Sequence, residues 1–290
     1  MTDNDNEEVI SLPVQNPLKE EEGRLPGKIV HARLKAPLIT IITVVYNGAE
    51  CLRQTIESVI RQQYDDLEYI IIDGGSTDST LDVIKSYENA VDYWVSEPDN
   101  GIYDAMNKGI ACSSGRYLLF LNAGDMLVAN LSELASLFTQ DCVMVYGKTN
   151  MLHPDGTLSY VKGKPLKSLG KLVRGTPLCH QAIFYRRDAI GRYDTRYTII
   201  ADRVLTYELA KRHGLARTRF VNTVIADYYE GGFSRQHEQL WRAEEFQFQI
   251  SAGCRAFAGY RRLSWLYKRY VAQAVRRLLR GKNNEDETVR

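Results

Sequence analysis

A nearly continuous apolar run over Leu38–Tyr46 (LITIITVVY) constrains the fold more than any other feature of this 290-residue chain. It is rich in β-branched residues, and it lacks the polar alternation of a strand with one face in solvent. It therefore predicts a strand covered on both faces. Apolar residues at helical spacing follow, and Leu67–Asp73 (LEYIIID) predicts the next strand. This alternation predicts βαβ units and hence an α/β fold with a mostly parallel mixed sheet flanked by helices.

The alternation continues with a helix over 79–87, a strand over 91–95, a helix over 103–112 and a strand over 117–122. After Asp125 the pattern loosens. It still predicts a hairpin around residues 153–156, a helix over 202–213, a strand over 220–228 and two terminal amphipathic helices, 236–252 and 260–280. Ligands of open parallel sheets bind beyond the carboxyl ends of the strands, so the segments that follow each strand are the ones to search for a site.

Composition excludes several classes of protein. The chain is 44% hydrophobic and 25% charged, which is typical of a soluble globular protein. Its net charge of +1 argues against a nucleic-acid binder. Its five cysteines show no CxxC spacing, which argues against a disulfide framework or a zinc cluster. The start, MTDNDNEEV, lacks the basic and apolar regions of a signal peptide, and the chain has no apolar run long enough to span a bilayer. We therefore expect a cytoplasmic protein.

Carboxylates, and no phosphate-binding glycine loops, follow the predicted strands. Neither GxGxxG nor GxxxxGK[ST] occurs, so a dinucleotide-binding enzyme and a P-loop NTPase both lose their physical basis. Asp73 ends one strand, and Asp125 follows another within Leu121–Asp125 (LNAGD). Isolated acids after strands are often turn residues, but two at one sheet edge indicate a site. Mg²⁺ typically takes one or two carboxylates together with phosphate oxygens.

Three ordered segments carry a specific resemblance. Residues 42–80 (ITVVYNGAECLRQTIESVIRQQYDDLEYIIIDGGSTDST), 96–110 (SEPDNGIYDAMNKGI) and 114–125 (SGRYLLFLNAGD) resemble family 2 glycosyltransferases of the GT-A fold. They look most like the bacterial branch of exopolysaccharide, colanic-acid-type or O-antigen biosynthesis. The match covers about Leu38–Asp125, and weaker cues continue to about Ser234. It implies a metal-dependent transferase that binds a nucleotide-sugar.

The resemblance implies roles on the nucleotide side of the site. Asp73 stands at the first acid of the family's Asp-Asp-Gly-Ser element and would hydrogen-bond the nucleotide base, whereas the second acid is Gly74 here. Tyr46 lies where the family's first strand runs over the nucleotide. Asn107 and Gly109 match an Ala-Arg-Asn-x-Gly element that lines the donor site. The arginine of that element is Met106 here, so a phosphate contact is missing or supplied elsewhere.

The same resemblance implies a metal site. Residues 122–125 (NAGD) fall on the family's Asp-x-Asp-type element with only the final acid retained. Asp125 would be the one side-chain ligand of Mg²⁺ or Mn²⁺ bridging the diphosphate, and Asn122 would line the donor site. One carboxylate with diphosphate and water oxygens is chemically adequate for Mg²⁺.

Asp202 is the candidate general base. Displacement at an anomeric carbon needs a base opposite the nucleotide to take the proton of the acceptor hydroxyl. Asp202 follows an apolar stretch at the start of a predicted helix, where an aspartate is also a preferred N-cap. In the family, an Asp in an Ala-Asp-x-x-Leu context is the base, and this chain has it at residues 201–205. Both roles stay open, and they are not exclusive.

Two further candidates follow from the resemblance. His180-Gln181 resembles a pair near the acceptor side of the family site, although a lone histidine is more often structural. Residues 231–235 (GGFSR) resemble a flexible loop that closes over the donor diphosphate, which Arg235 could reach, although a plain loop is an equal alternative.

Charge is distributed unevenly between the chain ends. Residues 1–24 hold seven acids and two bases, whereas residues 255–282 hold nine bases and no acid. The basic segment has apolar residues at helical spacing and carries Trp265, which is typical of an interfacial membrane helix. Packing of that stripe on the protein is the alternative. We predict an acidic, flexible arm (1–36), a catalytic domain (37–234, in halves 37–125 and 126–234) and a basic, helical, membrane-associating region (235–290).

The combined interpretation is an inverting hexosyltransferase-type glycosyltransferase on the inner face of a bacterial membrane. It would move a sugar from a nucleotide-diphosphate donor, UDP rather than GDP, to a lipid-linked or saccharide acceptor such as a polyprenyl-diphosphate-linked oligosaccharide. Two alternatives stay open. A sugar nucleotidyltransferase has a related layout, but it usually carries a basic glycine-rich loop after the first strand, and residues 46–50 hold no base. The other is an inactive membrane-docked scaffold.

Overall fold

A computed structural model of the chain describes residues 25–29 (backbone), 36–231 and 237–266. It contains two compact units, residues 1–232 and 233–290. The strands of the first unit are β1 (Leu25–Ile29), β2 (Ile39–Val45), β3 (Leu67–Asp73), β4 (Tyr93–Ser96), β5 (Tyr117–Phe120), β6 (Met126–Leu127), β7 (Met144–Leu152), β8 (Leu158–Lys162), β9 (Ile183–Arg186) and β10 (Thr218–Tyr229). Its α-helices are α1 (Ala49–Ile60), α2 (Thr80–Ser86), α3 (Ile102–Cys112), α4 (Leu131–Leu134), α5 (Gly170–Arg174), α6 (Arg187–Ile190) and α7 (Ala201–His213).

One mixed sheet organises this unit, in the order β1-β4-β3-β2-β5-β9-β7-β10-β6, with β8 paired to β7. The strands β4, β3, β2 and β5 are parallel neighbours. Beyond β5 the sheet turns antiparallel through β9, and β7 and β10 then form a further parallel pair. The predicted α/β class with a mixed sheet flanked by helices is confirmed, and its run of parallel pairs lies in the N-terminal half.

The predicted central strand is buried on both faces. All seven residues of β2 are buried, and successive side chains point to opposite faces of the sheet. Ile41 belongs to a core cluster with Leu52 and Ile56 of α1. Ile42 faces the other way and contacts α3 at Gly109, where an added Cβ would collide with the isoleucine side chain. The continuous apolar run therefore reflects helices packed on both sides.

The N-terminal arm differs from expectation. Leu25–Ile29 lies within the segment predicted to be flexible, but it forms β1 and pairs antiparallel with β4. Without β1, the outer edge of β4 would present unpaired backbone groups, which sheets usually cover. Proline at position 26 is compatible with this edge position because an edge strand tolerates a missing N–H donor. Residues 1–24 of the arm lie outside the described residues.

The second unit contains α8 (Glu238–Ser251) and a further helix described over residues 255–266. Two of the basic residues pack against α8. Arg261 donates to Glu245 over 3.0 Å, and the Arg262 guanidinium lies 4.8 Å from the ring centroid of Phe246. The rest of the predicted basic helix, from residue 267 onward, lies outside the described residues. None of the helices among the described residues is both long and apolar enough to cross a bilayer.

Candidate active site

Five of the residues predicted from sequence lie together beyond β5, namely Asn122, Asp125, His180, Gln181 and Asp202. The central member is His180, in the 3₁₀ turn that precedes β9. Its Nδ1 lies 3.2 Å from Oδ2 of Asp202, and its Nε2 lies 3.4 Å from Nδ2 of Asn122. Gln181 Nε2 donates to Oδ2 of Asp125 over 2.7 Å. The antiparallel strand β9 thus brings the histidine–glutamine pair to the edge where the parallel strands end.

Asp202 lies in the first turn of α7, but it is not the N-cap. The N-cap is Ile200, and it makes no side-chain cap hydrogen bond, so the cap alternative raised by the sequence is wrong. A carboxylate in the first turn interacts favourably with the helix dipole. The side chain is 27% exposed, compared with 12% for His180. The carboxylate therefore keeps access to a substrate.

Two partners hold the Asp202 carboxylate. His180 contacts Oδ2, and the Tyr103 hydroxyl shares its one proton between Oδ1, at 3.1 Å, and the carbonyl of Ile199, at 2.7 Å. Burial by itself raises the pKa of Asp202, but the hydrogen bond and charge of His180, with help from Tyr103, bring the pKa below its ordinary value. Asp202 is consequently ionised at neutral pH and fixed in orientation.

Asp125 has the opposite electrostatic character. It is 5% exposed, and burial raises its pKa to about 7 against the lowering effects of the Gln181 hydrogen bond and the charge of His180. The nearby Oδ1 of Asn122 is buried and has no hydrogen-bond partner. Oxygen acceptors of this kind, one a desolvated carboxylate and the other an unpaired amide oxygen, are the donors that a hard divalent ion prefers.

Asp125 and Asn122 fit a metal ion that takes its other ligands from phosphate and water. Among the described residues there is no group of three or more His, Cys, Asp or Glu side chains that could hold an ion by itself. Asp125 and Asn122 would supply two oxygens, and phosphate and water would have to supply the others. That Asp125 is the single carboxylate ligand stays a prediction.

Hydroxyl groups on α1 shape the loop that carries Asp125. Thr55 Oγ1 donates to the carbonyl of Asp125 over 2.8 Å and accepts from the N–H of Gly124 over 2.9 Å. One turn later, Ser58 Oγ accepts from the N–H of Leu127 over 3.0 Å. Both hydroxyls are buried, so these backbone groups would have no water to bond if the hydroxyls were lost. The loop geometry thus depends on α1.

Asp73 ends β3 and is held by hydrogen bonds within the protein. It is fully buried, and its oxygens accept from Ser76 N (3.0 Å), Ser76 Oγ (2.5 Å) and Ser96 Oγ (2.6 Å). Ser96 ends the neighbouring strand β4. Asp73 thus ties together the loops that follow two adjacent parallel strands. Its contact with a nucleotide base stays a prediction.

An exposed tyrosine, Tyr46, and a loop held by hydrogen bonds follow the end of β2. The Tyr46 side chain is 64% exposed. Asn47, whose φ of +48° lies in the left-handed region, accepts at Oδ1 from the N–H of Thr77 over 2.8 Å. Its own N–H donates to Ser76 Oγ over 2.7 Å. The loops after β2 and β3 are therefore joined, and an exposed tyrosine ring stands where a nucleotide base could stack on it.

The side chain of Asp99 explains why a glycine stands at position 74. A Cβ at this position would collide with Oδ2 of Asp99, whose Oδ1 accepts from the N–H of Gly101 over 2.8 Å. The Asp99 loop is held in turn by Lys108, which donates to the carbonyl of Pro98 over 2.8 Å. A carboxylate from the next loop therefore occupies the space beside Gly74.

Asn107 and Gly109 have packing roles. The Asn107 amide forms a two-way clamp with the backbone of Tyr193, donating to its carbonyl (3.0 Å) and accepting from its N–H (2.8 Å). The Tyr193 ring stacks on Tyr103 at 5.3 Å between centroids. Gly109 lets α3 approach Ile42 of β2 closely. The donor-lining roles of both residues stay predictions, and Arg235 lies outside the described residues.

Sequence reasoning did not identify Tyr103, Thr55 or Ser96, which support the site through their hydroxyl groups. A signal existed only for Tyr103, which lies one helical turn before Asn107 on the same face of α3. The others look like ordinary helix and strand residues in the sequence.

Comparison with known proteins identifies the family. The sequence model of glycosyl transferase family 2 matches residues 40–193. A PGL/p-HBAD biosynthesis glycosyltransferase of Mycobacterium bovis is 34% identical over 214 residues, covering 69% of this chain and 80% of the relative. An uncharacterized glycosyltransferase of Mycobacterium tuberculosis is 36% identical over 178 residues, covering 58% of this chain and 66% of the relative.

Solved structures show the same fold. TarS 1–349 of S. aureus in complex with UDP superposes with a TM-score of 0.53 at 16% identity, covering 72% of this chain and 65% of that one. Glucosyl-3-phosphoglycerate synthase of Mycobacterium tuberculosis, with Mn²⁺ and UDP, gives 0.52 at 16% identity, covering 75% and 80%. The predicted GT-A fold and the predicted glycosyltransferase class are confirmed. The chain belongs to glycosyl transferase family 2.

Proposed function

We propose that the protein is an inverting glycosyltransferase that moves a sugar from a nucleotide-diphosphate donor to an acceptor hydroxyl, with Asp202 as the general base. The observation that carries this proposal is the ionised, doubly held Asp202 carboxylate in one cluster with Asp125. Two related folds were solved with UDP, and a mannosyltransferase of Pyrobaculum calidifontis (TM-score 0.50) was solved with GDP-Man and Mn²⁺. Between the two nucleotides, we propose UDP rather than GDP as the carrier of the donor sugar.

The acceptor hydroxyl gives its proton to Asp202 while its oxygen attacks the anomeric carbon from the side opposite the diphosphate. The new carbon–oxygen bond forms as the bond to the diphosphate oxygen breaks, and the electron pair leaves with the nucleotide diphosphate. His180 and Tyr103 keep the carboxylate aimed and ionised before the proton arrives. Attack from the opposite side inverts the anomeric configuration.

Asp125 and Asn122 would hold Mg²⁺ or Mn²⁺ in this proposal. When bound, the ion supplies positive charge against the departing diphosphate. The buried Asp125 carboxylate suits that role because a cation would offset the burial that raises its pKa to about 7. On the nucleotide side, Tyr46 would stack on the base, and the joined loops of Asn47 and Ser76 would border it.

For the acceptor, we propose a lipid-linked saccharide at the inner face of a bacterial membrane, in cell-surface polysaccharide biosynthesis. Tyr260 and Leu263, near the start of the basic segment, are 70% and 68% exposed, which suits an interfacial helix. The expected exopolysaccharide, colanic-acid-type or O-antigen branch lacks support from the relatives, since the characterised ones are named for PGL/p-HBAD biosynthesis. We therefore propose no narrower branch.

Donor binding followed by turnover tests the proposal. The full chain would be screened by thermal shift against UDP- and GDP-sugars with Mn²⁺, Mg²⁺ or EDTA, and slow hydrolysis of the bound donor would then be measured. We expect metal-dependent stabilisation by a UDP-sugar in the wild type and in Asp202→Asn, with turnover lost only in the variant. Near wild-type turnover in Asp202→Asn would refute the base assignment. Consumption of a nucleoside triphosphate would support the nucleotidyltransferase alternative, and no response would support the scaffold.

A further inference from the structure

A hairpin on the first unit exposes apolar side chains. Leu158, Tyr160 and Val161 of β8 are 57%, 49% and 44% exposed. Among the described strands, β8 pairs only with β7, so its outer edge lies at the border of the sheet. The pairing register with β7 shifts between Leu158 and Tyr160, so the three exposed side chains surround a β-bulge in this edge strand. Exposed apolar residues grouped in this way usually mark an interaction site.

The segment that follows β8 is strongly basic. No aspartate or glutamate occurs between residues 156 and 187. Lys164, Lys167 and Lys171 are exposed, and Lys162 is half-buried. We call the three apolar residues together with these three exposed lysines the β8–α5 surface. The charged side chains of this surface are all positive, so the surface would attract an anionic partner.

The β8–α5 surface is anchored and continues towards the proposed base. The N–H of Leu166 donates to the buried hydroxyl of Tyr146 over 2.8 Å, which fixes the chain between two of the lysines. In α5, Leu172 is buried on the side opposite the solvent. Leu172, Thr176 and Leu178 then line a small pocket together with His180 and Asp202. A partner docked on this surface would therefore lie beside the entrance to the acceptor side of the site.

We propose that the β8–α5 surface docks on an anionic lipid bilayer. Tyr160 and Leu158 would enter the headgroup region, while the lysines contact lipid phosphates, which is the arrangement of interfacial protein segments. A second copy of the chain pairing along the β8 edge is the alternative that the experiment below distinguishes, and the lysines, which attract phosphates, favour the bilayer. The proposal extends the membrane association proposed above to residues outside the C-terminal basic segment.

Vesicle co-sedimentation of the full chain tests the docking. Vesicles of phosphatidylcholine with about one third phosphatidylglycerol would be compared with pure phosphatidylcholine, at low and high salt. The charge variant is Lys164→Gln/Lys167→Gln/Lys171→Gln, and the apolar variant is Leu158→Ser/Tyr160→Ser. The matched control, Arg61→Gln/Lys85→Gln/Arg192→Gln, removes three exposed bases elsewhere on the same unit. Thermal unfolding would verify that every variant is folded.

We expect the wild type to bind only the anionic vesicles and to release them at high salt. The charge variant should weaken the partition coefficient by about 100-fold, because each lysine near the surface contributes roughly fivefold. The control should stay within about threefold of the wild type. The apolar variant should lose the part of the binding that resists salt.

Three results would overturn the proposal. The first is a wild type that ignores anionic vesicles. The second is a charge variant that binds as well as the control, which would leave the C-terminal segment as the membrane contact. The third is a wild-type dimer that the apolar variant converts to monomer without changing vesicle binding, which would assign the β8 edge to a second copy. Because vesicle binding is measured without turnover, each of these results would leave the transferase proposal intact.

Discussion

The Nδ1 atom of His180 lies 3.2 Å from Oδ2 of Asp202, while the opposite nitrogen of the same ring lies 3.4 Å from the amide nitrogen of Asn122. The imidazole therefore spans the gap between the base and the loop that carries Asp125. With hydrogen on Nδ1 the ring donates to the Asp202 carboxylate, while the Asn122 amide lies against its other nitrogen. His180 positions the two halves of the site relative to each other.

Asp202→Asn should abolish transfer while leaving donor binding and folding unchanged. The amide keeps the shape of the side chain but cannot take a proton, and general-base catalysis typically contributes about 10²–10⁴-fold. His180→Gln should cost less, about 10–100-fold in kcat, since it removes the orientation of Asp202 and not the base itself. The two kcat values would be measured by steady-state kinetics, either of sugar transfer or of hydrolysis of the donor.

Asp194→Asn is the matched control for these variants. Asp194 is also an ionised carboxylate with a lowered pKa, owing first to its hydrogen bond with Arg196, but it lies outside the cluster. Its turnover should stay within about twofold of the wild type, because surface ion pairs contribute little. A His180→Gln enzyme with unchanged kcat would show that the histidine is only a structural neighbour.

Tyr103→Phe should lower kcat by about tenfold with little change in KM. The variant removes the hydroxyl that contacts Asp202 and the Ile199 carbonyl, but it keeps the ring stacked on Tyr193. One such hydrogen bond is worth about 1 kcal/mol. Tyr69→Phe provides the control, because its buried hydroxyl bonds Thr43 and contacts no member of the cluster in the hydrogen bonds described. That variant should lose stability and keep kcat, and equal kinetics in both variants would contradict the positioning role of Tyr103.

Asp125→Asn should stabilise the metal-free protein at alkaline pH. Burial raises the pKa of Asp125 to about 7, so the folded state favours the protonated acid. The stability that this provides is complete below about pH 4 and is lost as pH rises through 7. At pH 8 in EDTA, the wild type should carry a penalty on the order of 4 kcal/mol that the asparagine variant escapes.

Urea unfolding at pH 5 and pH 8 would measure this difference. Asp155→Asn is the control, since Asp155 is exposed and its pKa is lowered, first by the Thr157 hydroxyl. The Asp155→Asn substitution should change the free energy of unfolding by the same amount at both pH values. Mn²⁺ should stabilise the wild type at pH 8 and leave Asp125→Asn unaffected, and a metal response in that variant would place the ion elsewhere.

Gly74→Ala should disturb the loop after β4 through Asp99, because the added methyl group occupies the space of the Asp99 carboxylate. We expect a loss of about 1 kcal/mol of stability, at the low end of the range for overpacking, because the carboxylate end of the half-buried Asp99 side chain can shift aside. In an Asp99→Gly background the same substitution should cost clearly less. A double-mutant cycle by urea unfolding measures this coupling. Additive effects would mean that the two residues do not share this space.

Much of the fold can be predicted from the sequence, because the local hydrophobic patterns agree with the final packing. Leu67–Asp73 is predicted to the residue, since it is largely apolar and the chain on either side is polar. The strand Leu25–Ile29 is not, because a charged and proline-containing segment forms a strand only where a sheet edge accepts it. Its pairing depends on β4, nearly 70 residues later.

Part of the site can be predicted from the sequence for a similar reason. Parallel strands end at one edge, so the strand pattern alone places Asp73 and Asp125 at the same edge of the sheet. The contact of His180 with Asp202 does not follow from that pattern, since it depends on an antiparallel strand inserted beside β5. Nor do the hydrogen bonds of Asp73, because Ser76 and Ser96 have many possible partners until β3 and β4 pair.

The two hydroxyls on α1 have a consequence for how the loop tolerates mutation. Thr55 and Ser58 bond the backbone of the loop around Asp125, so these bonds need no side chain of the loop itself. The Asn122 side chain can therefore change while the bonds persist, whereas any other residue at Gly124, with its φ of +100°, would strain the backbone. A substitution at Thr55 would release two backbone groups of the loop at once.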